Sequence, residues 1–116
     1  MAYTTGGRTP LRQQLQLDGG VQSLTLAADV QLDDLSANVL LINGTLADRA
    51  VKMPAANRNG SIFRIVNTGA TNALNLQDST GAAIAGATAA LAVGAATWVV
   101  NEGGTWRHTG IESITL

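Results

Sequence analysis

The feature that most constrains this sequence is a regular alternation between short apolar runs and clusters of turn-forming residues. From Gly60 to Gly110 the apolar runs are separated by groups of Gly, Asn, Asp and Thr, at the spacing of roughly 8–12 residues that is typical of consecutive short strands. We expect neighbouring strands to pair antiparallel in a sandwich or barrel. The stretch therefore predicts an all-β domain, and it indicates no particular chemistry.

The end of this stretch predicts a β-hairpin. Two runs rich in strand-favouring residues, Thr97–Val100 and Thr105–His108, are joined by residues 101–104, NEGG. Two adjacent glycines adopt the positive φ of a tight hairpin turn without a Cβ clash. Each arm carries one tryptophan, Trp98 and Trp106. We expect both to be core or cross-strand partners, and the alternative is a sugar-stacking platform.

The remaining runs predict further strands. Leu24 and Leu26 are separated by one polar residue, as expected of a strand with one buried face. The continuous apolar run Asn38–Asn43 suits a strand buried on both faces or packed in a subunit interface. On the strand at 61–67, Arg64 lies with Ile62 and Val66 on the face opposite Phe63 and Ile65, and we expect it to be solvated or snorkelling. The alternative for Arg64 is an ion pair between subunits.

Residues 1–20 differ from the rest, so we divide the chain into an N-terminal arm, 1–20, and a β-domain, 21–116. The arm has two Gly pairs, a proline and few large aliphatic residues. We expect it to be extended and to grip a partner. A single helical turn over Leu11–Leu17 and a frayed tail without a role are the alternatives.

Composition favours self-association and argues against several classes of function. Among 116 residues there are only four aromatic side chains, so Leu, Ile, Val and Ala must form the core. Such a core supplies little hydrophobic free energy, and oligomerisation would add to it. Basic and acidic residues nearly balance without a basic cluster, which argues against nucleic-acid binding. No cysteine and no bilayer-length apolar run is present, so we expect no disulfide and no membrane partner.

The search for catalytic chemistry finds little. His108 is the only histidine, and a triad can be assembled on paper from Ser79, His108 and Asp78 without a nucleophile-elbow motif. We expect His108 to lie on a strand surface. The acidic pair Asp33-Asp34 predicts a turn rather than a calcium or glycosidase site. We therefore expect no enzyme activity, no catalytic residue, no cofactor and no metal.

Three segments carry a resemblance to a known family: LTLAADVQLDDLSANVLLING, AVKMPAANRNGSIFRIVNTGATNALNLQDSTGAAI and LAVGAATWVVNEGGTWRHTG. They resemble capsid decoration (cement) proteins of tailed bacteriophages and related β-domains of phage fibres. The resemblance implies an antiparallel β-sandwich or barrel, jelly-roll or β-tulip-like, with an extended N-terminal arm. It also implies a homotrimer on the outer capsid surface that binds the major capsid protein and stabilises the head. A free-standing chain of 116 residues suits decoration, and the alternative is a fibre or spike module that binds host surface glycans.

Two sets of contact residues follow from this hypothesis. Tyr and Arg are favoured at interfaces, and an extended arm can add to a partner as a strand. The predicted capsid or subunit contacts are Tyr3, Arg8, Leu11, Arg12 and Leu15. The predicted subunit interface comprises Val39, Leu41, Ile114 and Leu116.

Overall fold

The computed structural model of the protein describes residues 20–55, 60–86 and 90–113. Every regular element in these ranges is a strand, which confirms the all-β class. None of the described residues belongs to a helix long and apolar enough to cross a bilayer. The strands are β1 (Val21–Leu26), β2 (Val30–Gln31), β3 (Val39–Gly44), β4 (Arg49–Lys52), β5 (Ile62–Asn67), β6 (Leu74–Gln77), β7 (Ala90–Leu91), β8 (Ala95–Glu102) and β9 (Thr105–Ser113).

The strands form two mixed sheets, between which the chain alternates. The five-stranded sheet has the order β1-β3-β5-β8-β9, and the four-stranded sheet has the order β2-β4-β6-β7. Odd and even strands from β1 to β6 therefore belong to different sheets. We call each successive pair, β1 with β2, β3 with β4, and β5 with β6, a coil. The three coils are stacked as in a β-solenoid.

The predicted antiparallel arrangement is wrong for these six strands. β1 pairs with β3 and β3 with β5 in parallel, and so do β2 with β4 and β4 with β6. The reason is that each strand is followed by a crossing to the other sheet, so the chain returns to the first sheet in the same direction. Antiparallel pairing joins β5 to β8, β6 to β7 and β8 to β9.

The core lies between the two sheets. Leu40, Ile42 and Ile65 from one sheet are fully buried in one cluster with Val51 and Leu76 from the other. Parallel register stacks equivalent positions of successive coils, so Leu40 lies beside Ile65 and Val51 beside Leu76. Each row thus buries aliphatic side chains against like neighbours, which accounts for a core with few aromatic rings.

Aspartates connect one coil to the next at the crossings between sheets. The Asp29 carboxylate accepts a hydrogen bond from the Ala50 amide at 2.9 Å, and Asp48 accepts one from the Ala73 amide at 2.9 Å. In both cases the aspartate precedes a strand of the four-stranded sheet, and the amide belongs to the following coil. A short acceptor side chain there satisfies an amide at the start of the neighbouring strand.

The predicted tryptophan hairpin is confirmed. β8 and β9 pair antiparallel, and Gly103 and Gly104 in the turn have φ of 59° and 98°. The Asn101 side chain accepts a hydrogen bond from the Gly104 amide at 2.9 Å, which closes the turn. A register shift between Thr97 and Val99 offsets the C-terminal part of β9 relative to β8.

Candidate interaction face

One face of the five-stranded sheet points away from the core and is largely apolar. On β3 the buried residues Leu40 and Ile42 alternate with the half-buried Val39 and Leu41. Of the two alternatives for this run, burial on both faces is therefore wrong within the chain. Successive residues point to opposite sides of a strand, and here the two sides differ in burial. Extending the alternation through the register defines the outer face: Val39, Leu41, Ile62, Arg64, Trp98 and Val100.

The apolar character of this face is unusual for a sheet surface. A sheet with one solvated side normally carries polar residues there. Here Val39, Ile62 and Val100 are half-buried aliphatic residues on three adjacent strands. In the next row, Leu41 is followed by Val66 and Ala96, which are 7% and 0% exposed. Val66 and Ala96 are buried, so the partly exposed apolar area comprises Val39, Leu41, Ile62 and Val100. Neighbouring apolar side chains that remain partly exposed are typical of a protein–protein contact.

A charged cluster lies in the middle of the outer face. The Arg64 guanidinium carbon is 5.1 Å from the centroid of the Trp98 ring, and an Arg64 amino group forms an ion pair with the Glu112 carboxylate. The Arg64 side chain is 19% exposed and that of Glu112 is 56% exposed. Nη1 of Arg64 is buried and has no hydrogen-bond partner in the structure's described part. The Glu112 carboxylate therefore neutralises the charge of Arg64, while Nη1 of Arg64 makes no hydrogen bond to the described residues.

These contacts correct two predictions. Arg64 is half-buried and paired within its own chain, so a fully solvated side chain is wrong, and the ion pair it makes is not between subunits. Trp106 is 6% exposed, its ring lies 5.8 Å from that of Phe63, and its indole nitrogen donates to the Pro54 carbonyl. That confirms the core position for Trp106. Trp98 is half-buried on the opposite side of the hairpin, so the two rings are not core partners of each other.

The predicted contact residues are only partly covered by the structure. Val39 and Leu41 both lie on the outer face, as alternate residues of β3. The other predicted positions, Tyr3, Arg8, Leu11, Arg12, Leu15, Ile114 and Leu116, lie outside the described residues. The contribution of Ile62 and Val100 was missed by sequence reasoning, although the strand alternation of both runs could have identified them.

His108 is buried, so the prediction of a surface histidine is wrong. It is 7% exposed, and its backbone amide donates to the Ala85 carbonyl at 3.0 Å. Both ring nitrogens are buried, and neither has a hydrogen-bond partner in the described ranges. The ring packs on Gly86, where an added Cβ would be 2.3 Å from Nε2. The imidazole thus fills space against a glycine, and no bond links it to Asp78 or Ser79.

Asp33 and Asp78 each stabilise a turn, and the turn at Asp33 is the one that the sequence predicts. The Asp33 carboxylate accepts a hydrogen bond from the Leu35 amide at 2.8 Å, and the Asp33 amide donates to the Ser36 hydroxyl. In the turn that follows β6, the hydroxyl of Thr80, assisted by backbone amides, holds the pKa of the Asp78 carboxyl below its usual range. These side chains are therefore committed to the local backbone.

Two surface cavities lie beside these turns. The larger, of about 450 Å³, is lined by Gln31, Leu32, Asp33, Asp34, Pro54, Ala55 and Ser79. A smaller one of about 270 Å³ lies between the Asp78 turn and the hairpin turn. Within the described residues, no three His, Cys, Asp or Glu side chains are arranged to hold a metal ion. The outer face is the candidate functional surface because its half-buried aliphatic side chains lie next to one another on three strands.

The chain matches no protein-family model, no curated protein and no solved structure. The resemblance to phage decoration proteins therefore depends on the three sequence segments alone.

Proposed function

We propose that this protein is a structural component of a tailed-phage virion, a decoration trimer that binds the outside of the head and stabilises the shell. The single observation that carries the proposal is the apolar outer face. Val39, Leu41, Ile62 and Val100 extend across three strands on a side of the sheet that faces away from the core. A surface of this kind supports a role in assembly. The proposal includes a sandwich-like trimer with an N-terminal arm.

A threefold ring needs two different surfaces on each subunit. In a cyclic trimer the contact is heterologous, so one patch of each subunit meets another patch of the next. The outer face supplies the first patch through Val39 and Leu41, and the C-terminal residues Ile114 and Leu116 supply the second. Full burial of a Val or Leu side chain contributes roughly 1.5–3 kcal/mol. A core that is built mainly from aliphatic side chains would gain stability from this contact.

The N-terminal arm supplies the contact with the major capsid protein in this proposal. Its Tyr3, Arg8, Leu11 and Arg12 combine residue types that are favoured at interfaces. A trimer presents three arms at once, so that its avidity exceeds the affinity of one arm. Binding to the assembled shell stabilises that shell by mass action, because the binding free energy is lost when the shell comes apart.

The first test concerns assembly. Sedimentation or light scattering should give a trimer mass for the wild type and a monomer for Leu41→Asp, because a charge in the contact would be buried unpaired. Leu46→Asp is the matched control, since Leu46 lies in a loop and is 87% exposed. A monomeric wild type at high concentration would contradict the trimer, and a trimeric Leu41→Asp would refute Leu41 as part of the subunit contact.

The second test concerns the partner. Shells assembled from the major capsid protein of the same phage should retain the wild-type protein in co-sedimentation. Deletion of residues 2–12 should abolish this binding while leaving the mass of the oligomer unchanged. Retention of the deletion variant at wild-type levels would refute the arm as the capsid contact.

A fibre or spike module that binds host glycans is the second candidate, and the Trp98 ring, which is only half-buried on the outer face, favours it. Aromatic rings on exposed sheets bind sugars by stacking. Arg64 already contacts that ring, which leaves less of it for a sugar. Glycan titration followed by tryptophan fluorescence tests this candidate, with Trp98→Phe as the control variant. Saturable quenching that Trp98→Phe removes would favour the glycan module over decoration.

A further inference from the structure

The five-stranded sheet has β1 at one edge and β9 at the other in the part of the chain that the structure describes. The outer side of β9 pairs at Arg107 with Ala85, which also bonds the backbone of Trp106 and His108. Within the described ranges, residues 109–113 and the whole of β1 pair with a strand on one side only. Both edges therefore offer backbone groups to a further strand.

The edge at β1 lacks the charges, prolines and bulges by which proteins usually keep an edge strand from pairing with another chain. Its sequence, VQSLTL, contains no charged residue and no proline. All six residues pair with β3 in one continuous parallel register. Val21, which lies beside Val39, is 66% exposed. The edge of β1 is thus suited to a strand from another chain.

The hydrogen bonds to β3 identify the backbone groups that β1 offers. The Gly20 carbonyl accepts from the Val39 amide at 3.1 Å, and the Leu26 carbonyl accepts from the Thr45 amide at 2.8 Å. Backbone groups of successive residues in a parallel strand point to alternate sides. The even-numbered residues of β1 therefore face β3, and the amides and carbonyls of residues 21, 23 and 25 point away from the sheet.

The core is incompletely covered at both edges. Leu24 on β1 and Ile111 on β9 pack against the core but are only half-buried. Ile42, the partner of Leu24 on the inner strand β3, is 0% exposed. An inner strand is covered from two sides and an edge strand from one. A strand placed beside each edge would complete the burial of Leu24 and Ile111.

We propose that β1 of one subunit pairs with residues 109–113 of β9 in the next subunit, an inference that rests on the trimer of the proposed function. β9 runs in the same direction as β1, because β1, β3 and β5 are parallel and two antiparallel pairings follow, β5 with β8 and β8 with β9. A threefold axis along the strands preserves this direction, so the two edges meet in parallel. Leu24 of one subunit and Ile111 of the next then cover each other.

This pairing agrees with the two patches of the proposed ring. β1 lies beside β3, which carries Val39 and Leu41 of the first patch. The second patch, Ile114 and Leu116, follows β9 directly in the sequence. Three subunits joined in this way use every β1 and every β9 edge, so the ring closes and adds no fourth subunit.

Cross-linking between the two edges tests the pairing, because the protein has no cysteine of its own. Within one chain, four strand spacings separate β1 from β9, a distance of about 19 Å. A bismaleimide with less than half that reach should therefore join Gln22→Cys to Ser113→Cys only between subunits, and should give a covalent trimer on a denaturing gel. Gln22→Cys with Leu46→Cys, which places the second cysteine in an exposed turn, is the control pair and should give no covalent trimer.

The other outcomes of the cross-linking are distinct. A protein that sediments as a trimer but gives no covalent trimer would overturn the strand pairing and leave the proposed trimer standing. Covalent species larger than a trimer would overturn the closed ring. A wild type that sediments as a monomer would contradict the proposed function and this pairing together.

A second measurement does not depend on cysteines. Ser23→Pro removes an amide that points away from β3, so β1 keeps its pairing within the chain and loses a donor to the neighbouring subunit. Ser23→Pro should sediment as a monomer at concentrations at which the control variant Ser23→Ala is a trimer. If the Ser23→Pro trimer resists dilution as well as that of Ser23→Ala, the edge of β1 does not join the subunits.

Discussion

Arg64 on β5 and Trp98 on β8 are direct cross-strand partners, and the guanidinium carbon lies 5.1 Å from the centre of the indole ring. Glu112 pairs with the same guanidinium from β9. The antiparallel pairing of β5 with β8 thus holds a cation between a ring and a carboxylate on the outer face. This arrangement explains how a charged residue is accommodated in the middle of an apolar surface.

Removal of Arg64 should reveal its coupling to Trp98. In a double-mutant cycle with Arg64→Met and Trp98→Leu, we expect a coupling free energy of about 0.5–1 kcal/mol from urea unfolding. The exposed ion pair between Arg107 and Glu102 serves as the comparison, and its coupling should be smaller because both side chains are more than half exposed. Additive effects of Arg64→Met and Trp98→Leu would show that the ring contact contributes nothing.

Gly86 should tolerate no side chain. Its φ is 145°, and an added Cβ would be 2.3 Å from Nε2 of His108. We expect Gly86→Ala to lower the free energy of unfolding by about 2 kcal/mol or more, from backbone strain and the clash. The matched control is Gly81→Ala, which also has positive φ but has its nearest atom at 3.9 Å.

The clash with His108 can be separated from backbone strain. Combining Gly86→Ala with His108→Ala should recover the part of the loss that is due to the ring, because the smaller side chain makes room for the new methyl group. Equal losses for Gly86→Ala and Gly81→Ala would contradict a specific contact with the imidazole.

Asn67 should be a strong internal stabiliser. It is fully buried, its amide group donates to the carbonyls of Asn72 and Leu91 at 2.9 Å, and its oxygen accepts from the Gly69 amide at 2.9 Å. Asn67→Ala leaves these three backbone groups without their partner, so we expect a loss of about 2–4 kcal/mol in chemical denaturation. Asn75→Ala, on the outward side of β6, should cost less than about 1 kcal/mol. Similar losses for the two would refute the prediction.

The Asp78 turn should contribute to the dependence of stability on pH. The Thr80 hydroxyl and nearby backbone amides lower the pKa of Asp78 relative to the unfolded chain. A lowered pKa stabilises the fold while the carboxyl is ionised, so the contribution is present at neutral pH and is lost as the pH falls below about 4.

This dependence can be measured by thermal unfolding between acidic and neutral pH. The difference in Tm between the wild type and Asp78→Asn should be larger at neutral pH than in acid. Thr80→Val should reduce the wild-type dependence, because it removes the hydroxyl that bonds the carboxylate at 2.6 Å. A difference that is the same at every pH would show that Asp78 does not titrate differently in the folded and unfolded states.

Local signals in the sequence predicted the strand segments and the turns well. Gly103 and Gly104 identified the hairpin because positive φ is a property of the residues themselves. Asp33 identified a turn because its carboxylate bonds an amide only two residues away. Trp106 was correctly expected in the core. Each of these predictions depends on interactions over a short stretch of chain.

The candidate site was less accessible from sequence. The sequence does not predict the contacts of Arg64, because Trp98 and Glu112 are far from it along the chain. They become its neighbours only through the pairing of β5, β8 and β9. The surface position expected for His108 is wrong because its ring packs against Gly86, which lies in a loop distant from it in the sequence. Val39 and Leu41 were expected at an interface for their apolar character, and the outer face that they share with Ile62 became visible only through the register.

The sequence by itself determined that this chain is built of short strands with turns at defined residues, because alternation and turn chemistry are local properties. The tertiary structure alone decided that the first six strands pair in parallel. The residues along β3, Leu40 among them, would alternate between the core and the outer face in the same way beside a parallel or an antiparallel neighbour. Direction depends on where the chain goes between strands. Here it crosses to the other sheet each time, and no local pattern records that crossing.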